Sequence, residues 1–320
     1  MRLSKEQWTI AHLHQHLQYA VDLEFWTIPF YMSAMYSIVD RSSDAFQLIQ
    51  SIVNQEMLHV QLASNLANAY GLSPTFEAPI YEGQSVPHLD FSLDTPDPRK
   101  EFSPYSAEIG PLDDQRINAM CLIEYPEWKT GHQPDLRDDV TEYGSIGDLY
   151  DAVAYGASLL KHHLHGGVNQ VDHFGPFYRN LPSLTVEDSG DAGFYQAALL
   201  IDTIREQGEG ATQKYELLPA PFQNTADDGH PEWPHYEKFI SIRQQVAKPL
   251  TYPLKSETHY TAEDRAVQKN LMAHFTSFRS ALQQLFSGRN PENFVKLMMT
   301  VGAGIQNCWK HGVTPSFRAM

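Results

Sequence analysis

The chain has 320 residues, 42% of them hydrophobic and 19% charged, enough apolar material for one large core or two smaller ones. Its 39 Asp and Glu against 23 Lys and Arg leave a formal net charge of −16, which disfavours nucleic acid and anionic membranes as partners. No apolar run reaches membrane-spanning length, MRLSKEQWTI carries no signal-peptide core, and Cys121 and Cys308 are too few for a disulfide framework, so a reducing cytoplasm is the expected location.

Helical periodicity dominates from the start. Residues 6–39 predict a first helix in which Leu13, Leu17, Ala20, Val21, Ile28, Tyr31 and Met35 surround Glu24. Glu24 is far from both ends, so neither capping nor the helix dipole accounts for it. Pro29 deprives the Phe25 carbonyl of its usual bond; the kink either opens space beside Glu24 or has no functional result. After the break DRSS, where Ser42 or Ser43 caps, residues 44–70 predict a second, amphipathic helix. Its stripe of Ile49, Ile52, Val53, Val60, Ala63 and Leu66 also contains Glu56 and His59, one turn apart and pointing the same way.

Residues 72–112, rich in proline and turn signals, read as a long ordered excursion. A third helix is expected over about 113–128, with Ile117, Met120, Cys121 and Glu124 on one face, followed by a helical segment SIGDLYDAVAYGASLLKHHLH. Residues 190–210 predict another helix, in which Tyr195, Ala198, Leu199, Asp202, Glu206 and Glu209 line up. A loop insertion over 211–233 precedes a short helix, 234–246, bearing His235, Phe239 and Ile242, and two closing helices fill 262–310. There is no internal repeat and no strand pattern, so residues 1–320 are expected to form a single all-α domain.

A buried carboxylate is costly unless it is paired, hydrogen-bonded or bound to metal. Four helices each presenting one would place mutually repelling charges in one core, which two divalent metals would neutralise. Glutamates from two helices with Glu and His from two others are the plan by which helix bundles hold two metals, most simply iron, with manganese the alternative. The split between Glu206 and His235 leaves Glu209 as an extra ligand, a partner of His235, or a solvated residue at the helix end. Glu56 and Glu206 are the expected bridges. His12, His14 and His16 are expected at the surface, and His162, His163, His165 and His173 at a solvated helix end. Trp26, Tyr31, Tyr125 and Tyr236 are expected as core aromatics, with redox or substrate-lining roles the alternative.

Taken in order, LEFWTIPFY, NQEMLH, CLIEYPEW, and IREQGEG followed after an insertion by PHYEKF resemble the ferritin-like domain family associated with iminophenylpyruvate dimer synthase. That enzyme couples oxidised aromatic amino acid units in violacein-type pigment biosynthesis. The resemblance spans about residue 7 to about residue 245 and implies a ferritin-like four-helix bundle with additional helices and long insertions. It implies two iron ions held by Glu24, Glu56, His59, Glu124, Glu206 and His235, the set the helical faces had nominated. O2 and a small amino-acid-derived or aromatic metabolite are the expected partners, with an electron donor if the reaction is an oxygenation; a homodimer is compatible. The rival readings are a ferroxidase or iron store and a metal-free helical interaction protein.

Overall fold

The computed structural model describes residues 2–93, 96–126, 136–138, 143–174, 184–209, 218, 220–223 and 229–318. Among these residues the secondary structure is eight α-helices, short 3-10 turns and isolated β-bridges, with no strand. The expected all-α fold is present. No helix among them is long and apolar enough to cross a membrane.

Helix α1 (Ile10–Ser37) begins with a capping box between Thr9 and His12 and runs unbroken through Pro29. Helix α2 (Asp44–Ala69) is capped by Ser43, whose hydroxyl accepts the Phe46 N–H. The short connection makes them antiparallel, and they form the most extensive helix pair, with Leu13, Leu17, Val21, Leu58, Leu62 and Leu66 wholly buried. Each such side chain contributes roughly 1.5–3 kcal/mol on leaving water. Contrary to the amphipathic expectation, 22 of the 26 residues of α2 are buried. Its polar residues serve as clamps. Asn65 Nδ2 donates to the carbonyls of Val171 and Leu184 while its Oδ1 accepts the Val171 N–H. Gln61 Oε1 accepts the N–H groups of His173 and Phe174. The backbone of the 168–174 loop is thereby satisfied inside the protein.

The other two places around this pair are each filled by two half-helices. Helix α3 (Asp114–Ile123) meets the C-terminal half of α1 at its C-cap, where the Tyr31 hydroxyl donates to Glu124, and through the preceding Leu112, whose N–H reaches the Ser37 hydroxyl. Helix α4 (Ile146–Leu159) lies beside its N-terminal half, with Gly156 against the Trp8 ring. On the α2 side, α5 (Gly190–Gly208) follows the C-terminal half and α6 (His235–Gln244) the N-terminal half, where Lys238 Nζ donates to Ser51 Oγ at 2.8 Å. Four helix ends therefore meet at mid-bundle. The third helix is shorter than expected: it stops at Ile123, leaving Glu124 as its C-cap, and positions 127 and 128 of the expected span lie outside the described residues. Of the 211–233 insertion, 211–217, 219 and 224–228 likewise lie outside them.

Helices α7 (Ala262–Leu285) and α8 (Phe294–Lys310) form a hairpin on the outside of α1. The Trp309 indole N–H donates to the Ser33 carbonyl at 2.9 Å, and Phe275 stacks on Phe25. The 72–112 excursion is tied down reciprocally: the Trp26 indole N–H donates to the Ile80 carbonyl, and the Tyr81 hydroxyl donates to the Trp26 carbonyl.

Candidate metal centre

Five of the nominated side chains meet where the half-helices break. Glu24, Glu56, His59, Glu124 and His235 are each no more than 2% exposed. Glu56 stands between the two imidazoles, its Oε1 2.9 Å from His235 Nδ1 and 3.7 Å from His59 Nδ1. Glu24 Oε2 lies 3.4 Å from His59 Nδ1 on one side, and Glu124 Oε2 lies 3.5 Å from His235 Nδ1 on the other. The rings are 5.3 Å apart and 26° from parallel. Among the described residues, Glu56, His59 and His235 satisfy the spacing of a shared metal ion.

The neighbouring side chains fix which atoms face the centre. The Gln207 amide nitrogen donates to the Phe222 carbonyl, so the Gln207 oxygen is the atom that meets His59 Nε2, at 2.8 Å. His59 Nε2 therefore carries the hydrogen, and its Nδ1 turns a lone pair toward Glu24 and Glu56. Gln55 Oε1 lies 2.9 Å from His235 Nε2, the corresponding nitrogen of the other imidazole. The outer carboxylate oxygens are held by hydroxyls: Tyr150 donates to Glu24 at 2.7 Å, Tyr31 to Glu124 at 2.6 Å, and Thr27 to Glu56. Burial and the adjacent carboxylates hold the Tyr31 and Tyr150 phenols well above their ordinary range, so both remain donors.

This donor set fits a metal ion. His235 Nδ1 is fully buried and makes no hydrogen bond, although Glu56 Oε1 is only 2.9 Å away. Two donor atoms that close but not aligned with each other suit a third atom to which both point. Burial, with Glu124 nearby, pushes the Glu56 carboxyl well above the usual carboxylate range, the mark of an acid lacking its countercharge. Glu124 is moreover a helix C-cap, where the carbonyl end of the dipole already disfavours an anion.

The fourth helix departs from expectation. The line Tyr195, Asp202, Glu206 faces outward, Tyr195 being 77% exposed and Glu206 half-buried. The inward stripe is Ala197, Leu200, Ile204, Gln207 and Gly208. A Cβ at Gly208 would come within 3.1 Å of Glu124 Oε2, and Glu206 lies about 200° around the helix from that position. Glu209, the C-cap of α5, is buried.

Residues 17–244 match the ferritin-like family. The chain belongs to that family. This ferritin-like chain is also similar to a solved structure described as a ferritin-like protein from Caulobacter vibrioides: identity is 46%, the TM-score 0.85, and the match covers 97% of this chain and 99% of that one. No curated protein matches it.

Sequence reasoning about the ferritin-like chain overlooked Thr27, Gln55, Tyr150 and Gln207. Gln55 sits one position before Glu56 and Gln207 one after Glu206, a flanking pattern that was the available signal. Tyr31 is a core aromatic as expected but also hydrogen-bonds Glu124. His16 is not a surface residue: it is fully buried between the His12 carbonyl and the Tyr143 hydroxyl, and burial pushes its imidazole down to about 4. His162, His163, His165 and His173 are exposed.

Proposed function

We propose that the chain is a dimetal, di-iron oxidoreductase that uses O2 to oxidise a small amino-acid-derived or aromatic metabolite. The observation that carries this reading is the convergence of three buried carboxylates on two inward-facing imidazole nitrogens, one of which has no hydrogen bond. Glu24 with His59 would hold one metal and Glu124 with His235 the other, with Glu56 between the two. Glu209, rather than the outward Glu206, is the carboxylate α5 would supply. Four carboxylates then balance two divalent ions, and both histidines stay neutral.

When bound and reduced, such a metal pair supplies O2-dependent oxidation of an organic substrate. The protein's own contribution is placement. Tyr31, Tyr150 and Thr27 hold one oxygen of each carboxylate and leave the other for the centre. Gln207 and Gln55 keep both imidazoles in one orientation, and burial of the whole cluster excludes bulk water. The kinship with iminophenylpyruvate dimer synthase, and with it the aromatic amino-acid-derived substrate, rests on the sequence motifs and is part of the proposal.

The test is metal content per chain in tag-free protein, before and after anaerobic Fe(II) loading, followed by O2 uptake with candidate aromatic amines. About two irons per chain, lost together in Glu56→Ala, are expected. A trace of metal unchanged by loading would overturn the reading. A cage-sized species on gel filtration, with iron oxidised and retained as mineral, would replace it with the storage alternative.

A further inference from the structure

Five of the nine methionines of the chain meet at one place outside the metal centre. Met32 and Met35 of α1, Met57 of α2, and Met298 and Met299 of α8 line, with Tyr36, a cavity of about 140 Å³. On α2 the residues facing it are 50, 53, 54 and 57, on the side of the helix about 160° around from Gln55, Glu56 and His59. It is therefore a separate site, and what it binds does not depend on the metal reading.

Its lining is unlike that of a packed core. Leucine and isoleucine, with few rotamers, specify one arrangement; methionine is flexible and polarizable, adapts to the outline of a guest, and makes favourable contacts with aromatic rings. A cavity of this volume admits one benzene-sized ring. Met299, 69% exposed, stands at its mouth. Polar groups are also on offer: the Gln50 and Asn54 amides line the cavity, and so does Tyr36. The Tyr36 hydroxyl has no hydrogen-bond partner among the described residues; its ring is engaged by Arg41 and by an edge contact with Phe46. It lies against the backbone of α8, where a Cβ at position 302 would come within 2.8 Å of it, so Gly302 is what gives it room.

We infer that this cavity is a binding site for a small aromatic molecule bearing one hydrogen-bonding substituent, such as a phenol. The ring lies among the thioethers, and the substituent meets the Tyr36 hydroxyl. The test uses the full chain with 13C-labelled methionine methyl groups, titrated separately with phenol and with benzene. The methyl signals of Met32, Met35, Met57, Met298 and Met299 are expected to shift saturably, while those of Met120 and Met272 stay in place. Tyr36→Phe is expected to weaken phenol about fivefold and to leave benzene unchanged. Met299→Trp, a substitution at an exposed position, is expected to block both probes. Shifts that never saturate, or that reach Met120 and Met272 equally, would overturn the site. Binding unaffected by Met299→Trp would place it elsewhere, and equal weakening of phenol and benzene by Tyr36→Phe would overturn the role of the hydroxyl.

Discussion

Gln207 decides which nitrogen of His59 faces the carboxylates, and it does so without touching them. Gln207→Leu keeps the volume and removes the acceptor, so His59 can adopt the other tautomer. Metal affinity is expected to fall about 10- to 100-fold by competition with a chelator, while Gln207→Glu, which restores an acceptor, retains binding. Glu56 gives a second expectation. Burial first, then Glu124, raises its carboxyl; His59, lowered by burial but raised further by Glu24 and Glu56, also ends above its ordinary range. Both groups hold a proton more tightly folded than unfolded. Their contribution to metal-free stability is thus full below the unfolded values and lost as pH rises through the folded ones. The melting temperature of metal-free protein should fall as pH rises from about 5 to 8, and Glu56→Gln should flatten that fall. Glu24, Glu56, His59 and Glu124 were legible because each interrupts an apolar stripe. Gln55 and Gln207 were not picked out, because a neutral amide on a helix looks like any surface residue and only its place next to a candidate glutamate marks it. On α5, Tyr195 counted as apolar and tilted the predicted face outward, exchanging Glu206 for Gln207.

At the scale of elements, the end of the fourth helix was visible in Gly208 and Gly210, which cannot continue a helix cheaply. The end of α3 at Ile123 was not, because its apolar periodicity runs on through Glu124. Nor was the second task of α2, holding the 168–174 loop. Asn65 meets three backbone groups, two of Val171 in that loop and the Leu184 carbonyl beyond it, and Asn65→Leu, similar in size, would strand all three. A loss of about 3 kcal/mol or more is expected in denaturant unfolding, with the m-value unchanged. A cost below about 1 kcal/mol would mean that water replaces the amide.

For the whole molecule, metal that binds only the folded state stabilises it by mass action. A redox-inert divalent probe such as Zn(II), at about a hundredfold excess over its Kd, contributes about 2.7 kcal/mol. That corresponds to a rise in melting temperature of about 5 °C for a chain of this size, and Glu56→Ala should abolish it. The all-helical architecture was legible throughout, since long periodic segments speak for themselves. Its arrangement around a central pair with two divided partners was not, because periodicity says which face is apolar and nothing about which neighbour covers it. The encasement of α2 bears on how freely the chain can vary. With 22 of its 26 residues buried and its faces committed to ligands, loop and methionine cavity, α2 has almost no position at which a change is neutral. Helix α7 buries 9 of 24 and exposes the rest of its length to solvent or its margins. A saturation scan scored by folded yield should show tolerance collapsing over 44–69 and recovering over 262–285, so drift in such a sequence would accumulate on its outer hairpin while α2 stayed nearly fixed.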